Sequence, residues 1–153
     1  NGLGTSSGIR DVIRKDVFNE QNEINKILGI NLPLTTNQTG MLELANSDYS
    51  DAEIKKLYEQ NKNVMNAEKL KERQDITGKI IDRLHDEYGT TGVDDETVTL
   101  YIPTDRGMEI VEELTNPEKL KKLSFTEFFK RIEELNNPDV TPGVNNLLES
   151  LKK

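Results

Sequence analysis

Apolar residues recur at helical spacing over much of the chain. Ile9, Val12, Ile13, Val17, Ile24, Ile27 and Leu28 fall on one stripe, the pattern of an amphipathic helix with one face turned inward. Ser7 stands where an N-cap oxygen is wanted, and Gly29 suits a left-handed C-cap. The pattern predicts a helix over 9–28. Asn31 to Gly40 holds Pro33 and a run of Thr, Asn, Gln and Gly, and reads as a loop. Met41, Leu42 and Leu44 suit one short helical turn that seals the core.

Ser50-Asp51-Ala52-Glu53 is a capping box, in which the serine and the glutamate each satisfy an amide of the first turn. After it, Ile54, Leu57, Tyr58, Val64, Met65 and Leu70 mark one face, and Ile76, Ile80, Ile81, Leu84 and Tyr88 another. The stripe slips out of phase near Asp75 to Gly78. The reading favoured here is one long helix over about 51–88, kinked there; two helices meeting at that point is the alternative. A 38-residue helix would reach about 57 Å, more than one core of this chain covers, so part of it would lie on a partner.

Thr97 to Ile102 alternates and is β-branched or aromatic almost throughout, which predicts one short strand over about 97–102, stopped by Pro103. A lone strand needs a partner for its amides, either cryptic in this chain or on another. Thr104 or Asp105 can cap a helix over 106–114, and Asn116-Pro117 stops it. Ser124-Phe125-Thr126-Glu127 is a second capping box, followed by Phe125, Phe128, Phe129, Ile132 and Leu135 on one stripe. Thr141-Pro142 opens a last helix carrying Leu147, Leu148 and Leu151. The fold class is therefore mainly α, several helices with one short strand. Residues 1–8 form a flexible arm, 9–92 an N-terminal helical part, and 93–153 a strand with short helices, together one domain or a fragment of a larger chain.

Composition changes this picture in three ways. At 153 residues with 33% apolar and 31% charged positions, the core is modest for a globular domain, which points to a surface completed by a partner. The net charge of −8 argues against nucleic-acid binding by this chain alone, since phosphate affinity comes from clustered Lys and Arg. Lys119, Lys121 and Lys122, with Lys130 and Arg131, make the best basic cluster. No cysteine is present, which excludes disulfides and thiolate chemistry. No apolar run has membrane-span length, so the expected setting is soluble and intracellular, or within an assembled particle.

Candidate chemistry is thin. Gly2, Gly4 and Gly8 lack the preceding strand and following lysine of a phosphate loop. His85, the one histidine, has too few ligands beside it for zinc. Asp94-Asp95-Glu96 lacks the EF-hand pattern. Glu109, Glu112 and Glu113 read as an exposed helix face. No metal or cofactor is expected. The reading is a non-enzymatic helical interaction or assembly module that binds a protein partner or copies of itself. Its candidate interface is Ile54, Leu57, Tyr58, Val64, Met65, Val98, Leu100, Phe125, Phe128 and Phe129. One alternative is an acidic regulator that occupies a basic nucleic-acid-binding surface of its target. Another is a divalent-cation-dependent carboxylate enzyme.

Overall fold

The structure is a computed structural model and describes residues 8–62, 65–89 and 100–152. The described residues form seven α-helices and a C-terminal 3-10 helix. Helix α1 spans Ile9–Leu28 and ends where the periodicity ends: Gly29 is left-handed (φ 73°) and its N–H donates to Asn25 O at 2.8 Å. Its start differs from expectation. Gly8 occupies the cap position without a side-chain bond, and Ser7 lies outside the described residues.

The loop expected over 31–40 is instead the entrance to a full helix, α2 (Thr36–Ala45). The cause is a capping box. Thr35 Oγ1 accepts from Gln38 N at 3.1 Å, and Gln38 Oε1 accepts from Thr35 N at 2.7 Å. Polar residues that look like turn chemistry here satisfy a helix start.

The single kinked helix is also corrected. Helix α3 is Asp51–Lys62 and α4 is Ala67–Tyr88. The break comes before Asn66, whose Oδ1 accepts from Lys69 N at 2.9 Å and whose Nδ2 donates to Asn61 Oδ1 at 2.7 Å. Gly78, the suspected kink, lies within an unbroken α4. The two helices measure about 18 and 33 Å at 1.5 Å per residue, so length alone no longer calls for a neighbour.

Helix α5 (Asp105–Thr115) starts at the predicted Thr104 cap, α6 (Pro117–Lys122) at Asn116 with proline in the first turn, and α7 (Phe125–Leu135) at the Ser124/Glu127 box. The last helix does not begin at Pro142. Left-handed residues at Gly143 (φ 81°) and Asn146 (φ 56°) interrupt the chain, and the 3-10 helix runs over Leu147–Lys152. Of the expected strand, 97–99 lie outside the described residues. Leu100 and Ile102 are buried and Tyr101 is exposed, so the alternation is real; Leu100 makes a single β-bridge, and 101–102 form no strand. Their apolar side is covered by this chain's own core.

The buried residues divide into two clusters that share α1. Ile13, Val17, Ala45, Ile54 and Tyr58 form a small core between the first half of α1, α2 and α3. Ile24 and Leu28 of α1 enter a larger core with α4 to α7 and the C-terminal helix. No helix among the described residues is long and apolar enough to cross a membrane.

Candidate interaction site

Between the two cores the apolar stripes of α1 and α4 are interrupted. On α1 the stripe passes from Val17 to Ile24 through Glu20 and the buried Gln21; on α4, Ile80 and Ile76 are preceded by Arg73 and Lys69. These interruptions border one open trough. Its larger part, about 460 Å³, is lined by Ile24, Met65, Ile76, Leu123 and the three phenylalanines of α7, with Lys62, Lys69, Arg73, Lys121, Glu20 and Glu72. A smaller hollow of about 310 Å³ continues it, sharing Glu20, Asn37, Lys62 and Lys69 and reaching Asp16 and Tyr58.

Most of the charged groups are fixed by bonds within the chain. Glu72 Oε2 accepts from Asn37 N at 2.9 Å, so this carboxylate sits at the positive end of α2. Glu20 Oε1 accepts from Gln38 Nε2 at 3.1 Å. Lys69 Nζ donates to the carbonyls of Asn61 and Lys62 at the end of α3. Arg73 donates to Leu123 O at 2.7 Å and Leu120 O at 3.3 Å, and its guanidinium lies 5.2 Å from the Phe128 ring centre. Desolvation pushes the Glu20 and Glu72 carboxyls above their usual range and the Lys69 ammonium below its own. Lys62 and Lys121 are held more loosely, 3.9 Å from Asp16 and 3.8 Å from Glu118.

The ten candidate interface residues separate into three groups. Ile54 and Tyr58 are buried in the small core and Leu100 in the large one, so this chain's own side chains cover them. Val64 and Val98 lie outside the described residues. Met65, Phe125, Phe128 and Phe129 converge on the trough, while half-buried Leu57 lines a neighbouring hollow that shares Asn37 and Glu72 with it. Phe129 packs against Phe125 and Phe128 with ring centres 5.0 Å apart in both pairs. Phe128 and Phe129 are buried, and Phe125 and Met65 are half-buried.

Sequence reasoning missed Glu20, Gln38, Lys69, Glu72 and Arg73. A signal existed: each of the two apolar stripes, extended by three or four residues, lands on polar side chains. The other candidates are dispersed. Glu109, Glu112 and Glu113 pair with Arg106, Lys119 and Arg131, which also breaks up the basic cluster at 119–131. His85 is half-buried near the end of α4, and Asp94 to Glu96 lie outside the described residues. Among the described residues no three His, Cys, Asp or Glu side chains gather as a metal site.

Compared with known proteins, the chain matches no family model, and neither a curated protein nor a solved structure shows significant similarity to it.

Proposed function

We propose that the chain is a non-enzymatic interaction module that receives a segment of a protein partner in the trough between α1 and α4. The observation that carries this reading is the convergence of Met65, Phe125, Phe128 and Phe129 on one cleft open to solvent. Aromatic side chains in a concave, partly desolvated site are where binding energy concentrates, and the volume falls in the range of sites that enclose a ligand side chain or short segment. The charged groups support a scaffold role. Glu20, Lys69, Glu72 and Arg73 satisfy amides and carbonyls of α2, α3, α6 and the α6–α7 corner. Residues so engaged hold the walls apart and are poorly placed to exchange protons with a substrate.

The test is selection of a displayed peptide library on the chain, counter-selected on the double variant Met65→Asp/Phe125→Asp. Both positions are half-buried, so circular dichroism must first show the helices intact in the variant. Sequences enriched on the parent and lost on the variant support the reading. Equal enrichment on both chains, or none on either, overturns it. Light scattering across a concentration range, run beside it, shows whether the partner is another copy of the chain.

A further inference from the structure

We infer that the segment taken by the trough is acidic and carries an apolar anchor. This rests on the reading of the trough as a docking site and adds the chemistry of its occupant. The argument begins with charge. The chain carries −8 overall, yet cations outnumber acids among the residues that line the aromatic end of the trough. Four cations, Lys62, Lys69, Arg73 and Lys121, line the larger cleft against two carboxylates, Glu20 and Glu72. Glu72 accepts from the Asn37 amide in the first turn of α2, which spreads its charge over the helix terminus, and Glu20 accepts from the Gln38 side chain. Asp16, which lines the smaller hollow, stands 3.9 Å from Lys62, and Glu118 3.8 Å from Lys121.

The cations differ in how they can act. Arg73 and Lys69 donate to backbone carbonyls and supply fixed positive charge at the floor. Lys62 and Lys121 have about half of each side chain exposed (50% and 46%); Lys62 lies 3.9 Å from Asp16 and 5.5 Å from the Tyr58 ring centre, and Lys121 3.8 Å from Glu118. The Lys121–Glu118 pair is exposed and worth little, so that ammonium can turn toward an incoming carboxylate at small cost, whereas Lys62 neutralises a buried Asp16 oxygen and can only share its charge with one. Between them the surface is apolar: Met65, Ile76, Leu123 and Phe125. A partner residue of the Leu or Phe type would cover that surface, with acids on either side of it meeting Lys62 and Lys121. The α1 wall from Asp16 to Ile24 is about 12 Å long at 1.5 Å per residue, which suits about four extended residues. The net charge of −8 disfavours a nucleic acid, whose phosphates the rest of the chain would repel, so the occupant is a peptide.

The experiment uses three fluorescein-labelled probes on the full chain. One is a peptide of about ten residues with Leu and Phe among Asp and Glu. The second has each acid replaced by Lys, and the third is an oligothymidylate of similar length. Anisotropy reports affinity and amide chemical shifts locate the site. The expected result is binding of the acidic peptide with shifts at Ile24, Ile76 and Phe125. It should be about tenfold or more weaker for the Lys counterpart, and should weaken as salt rises toward 0.3 M or so. The double variant Lys62→Gln/Lys121→Gln, confined to exposed side chains, should lower affinity about tenfold and flatten the salt dependence. Equal binding of both peptides would overturn the acidic assignment and leave the docking reading intact. Equal binding of the oligothymidylate, or no binding of the acidic peptide, would overturn the inference. The library selection then decides separately whether the trough docks any peptide.

Discussion

The two cores are built on different principles. The large one gathers nineteen buried apolar residues among those described, and the small one five. The large core holds itself by area and shape: Phe128 sits edge-on to Phe129, and Gly107 lies so close to its neighbours that an added Cβ would meet Ile102 Cγ2 at 2.5 Å. The small core is too sparse for that and is tied by polar bonds. The Arg10 guanidinium donates to the carbonyls of Ala45, Ser47 and Tyr49, each at 2.8 Å, and pairs with Asp51 at 3.2 Å. One side chain thus closes the end of α2 and the start of α3 onto α1. The comparison teaches that α1 joins a region stabilised by burial to one stabilised by directional bonds, with the polar trough where the two meet.

Breaking the large core should therefore unfold the whole chain. Phe128→Ala removes a ring that is 1% exposed, its edge contact with Phe129 and the support under Arg73. The expected cost is about 3–5 kcal/mol, read as a shift of the urea midpoint for the entire helical signal. A change below about 1 kcal/mol would mean the packing around Phe128 relaxes freely and the distinction between the cores is overstated.

The same kind of change in the small core should act locally. Ile54 is fully buried in α3 among few neighbours, so Ile54→Ala should cost toward the low end of about 2–5 kcal/mol. Amide exchange should quicken in α2 and α3 while α5 to α7 keep their protection. Uniform loss of protection would show that the two regions unfold as one unit.

A smaller effect is expected at the join. Thr35→Ala removes the oxygen that caps α2 and should cost about 1 kcal/mol, with Thr35→Ser restoring most of it. The exchange of α2 amides should change most, because Gln38 is linked through this cap to Glu20.

How much of this was legible in the sequence follows the same division. The large region was largely readable: Thr104 and Ser124 cap the helices their side chains predict, and Phe128, Phe129, Ile132 and Leu135 are buried as their spacing implies. There the apolar stripe and the cap agree. The small region was misread where they disagree. Thr35 to Gly40 looks like a loop by composition and starts a helix by capping geometry. The Asn66 break was hidden because Glu, Lys and Gln suit helix on both sides of it. The trough was least legible. Arg73 and Glu72 lie in a charged run that normally marks a solvated face, and only the tertiary arrangement of α2 and α6 gives them amides and carbonyls to bind. The aromatic stripe of α7 serves two ends: Phe128 and Phe129 are buried in the core and also wall the trough.

The smallest expected effect separates the trough from the large region by pH. Desolvation raises the Glu72 carboxyl above its ordinary value of 4.5. The folded state therefore holds that proton more tightly than the unfolded chain. Its contribution to stability is fully present below 4.5 and is lost as pH rises through the raised value. Glu134, at the surface of the large region, has the opposite sign. Its hydrogen bonds with Arg106 lower it, so its contribution is present above 4.5 and is lost as pH falls through the lowered value. Acid should thus tighten the trough while it loosens the Arg106–Glu134 link, and the two tendencies partly cancel in the parent chain. Single variants separate them. Glu72→Gln keeps an acceptor for the Asn37 amide but no longer titrates, so its stability relative to the parent should rise between pH 4.5 and neutrality. Glu134→Gln should instead lose ground relative to the parent as pH rises across the region below and around 4.5, where Glu134 ionises. Urea melts of the three chains across that range measure both slopes. Slopes of the same sign would mean that Glu72 is better solvated than its place at the α2 end implies, and that the polar join costs the fold nothing to ionise.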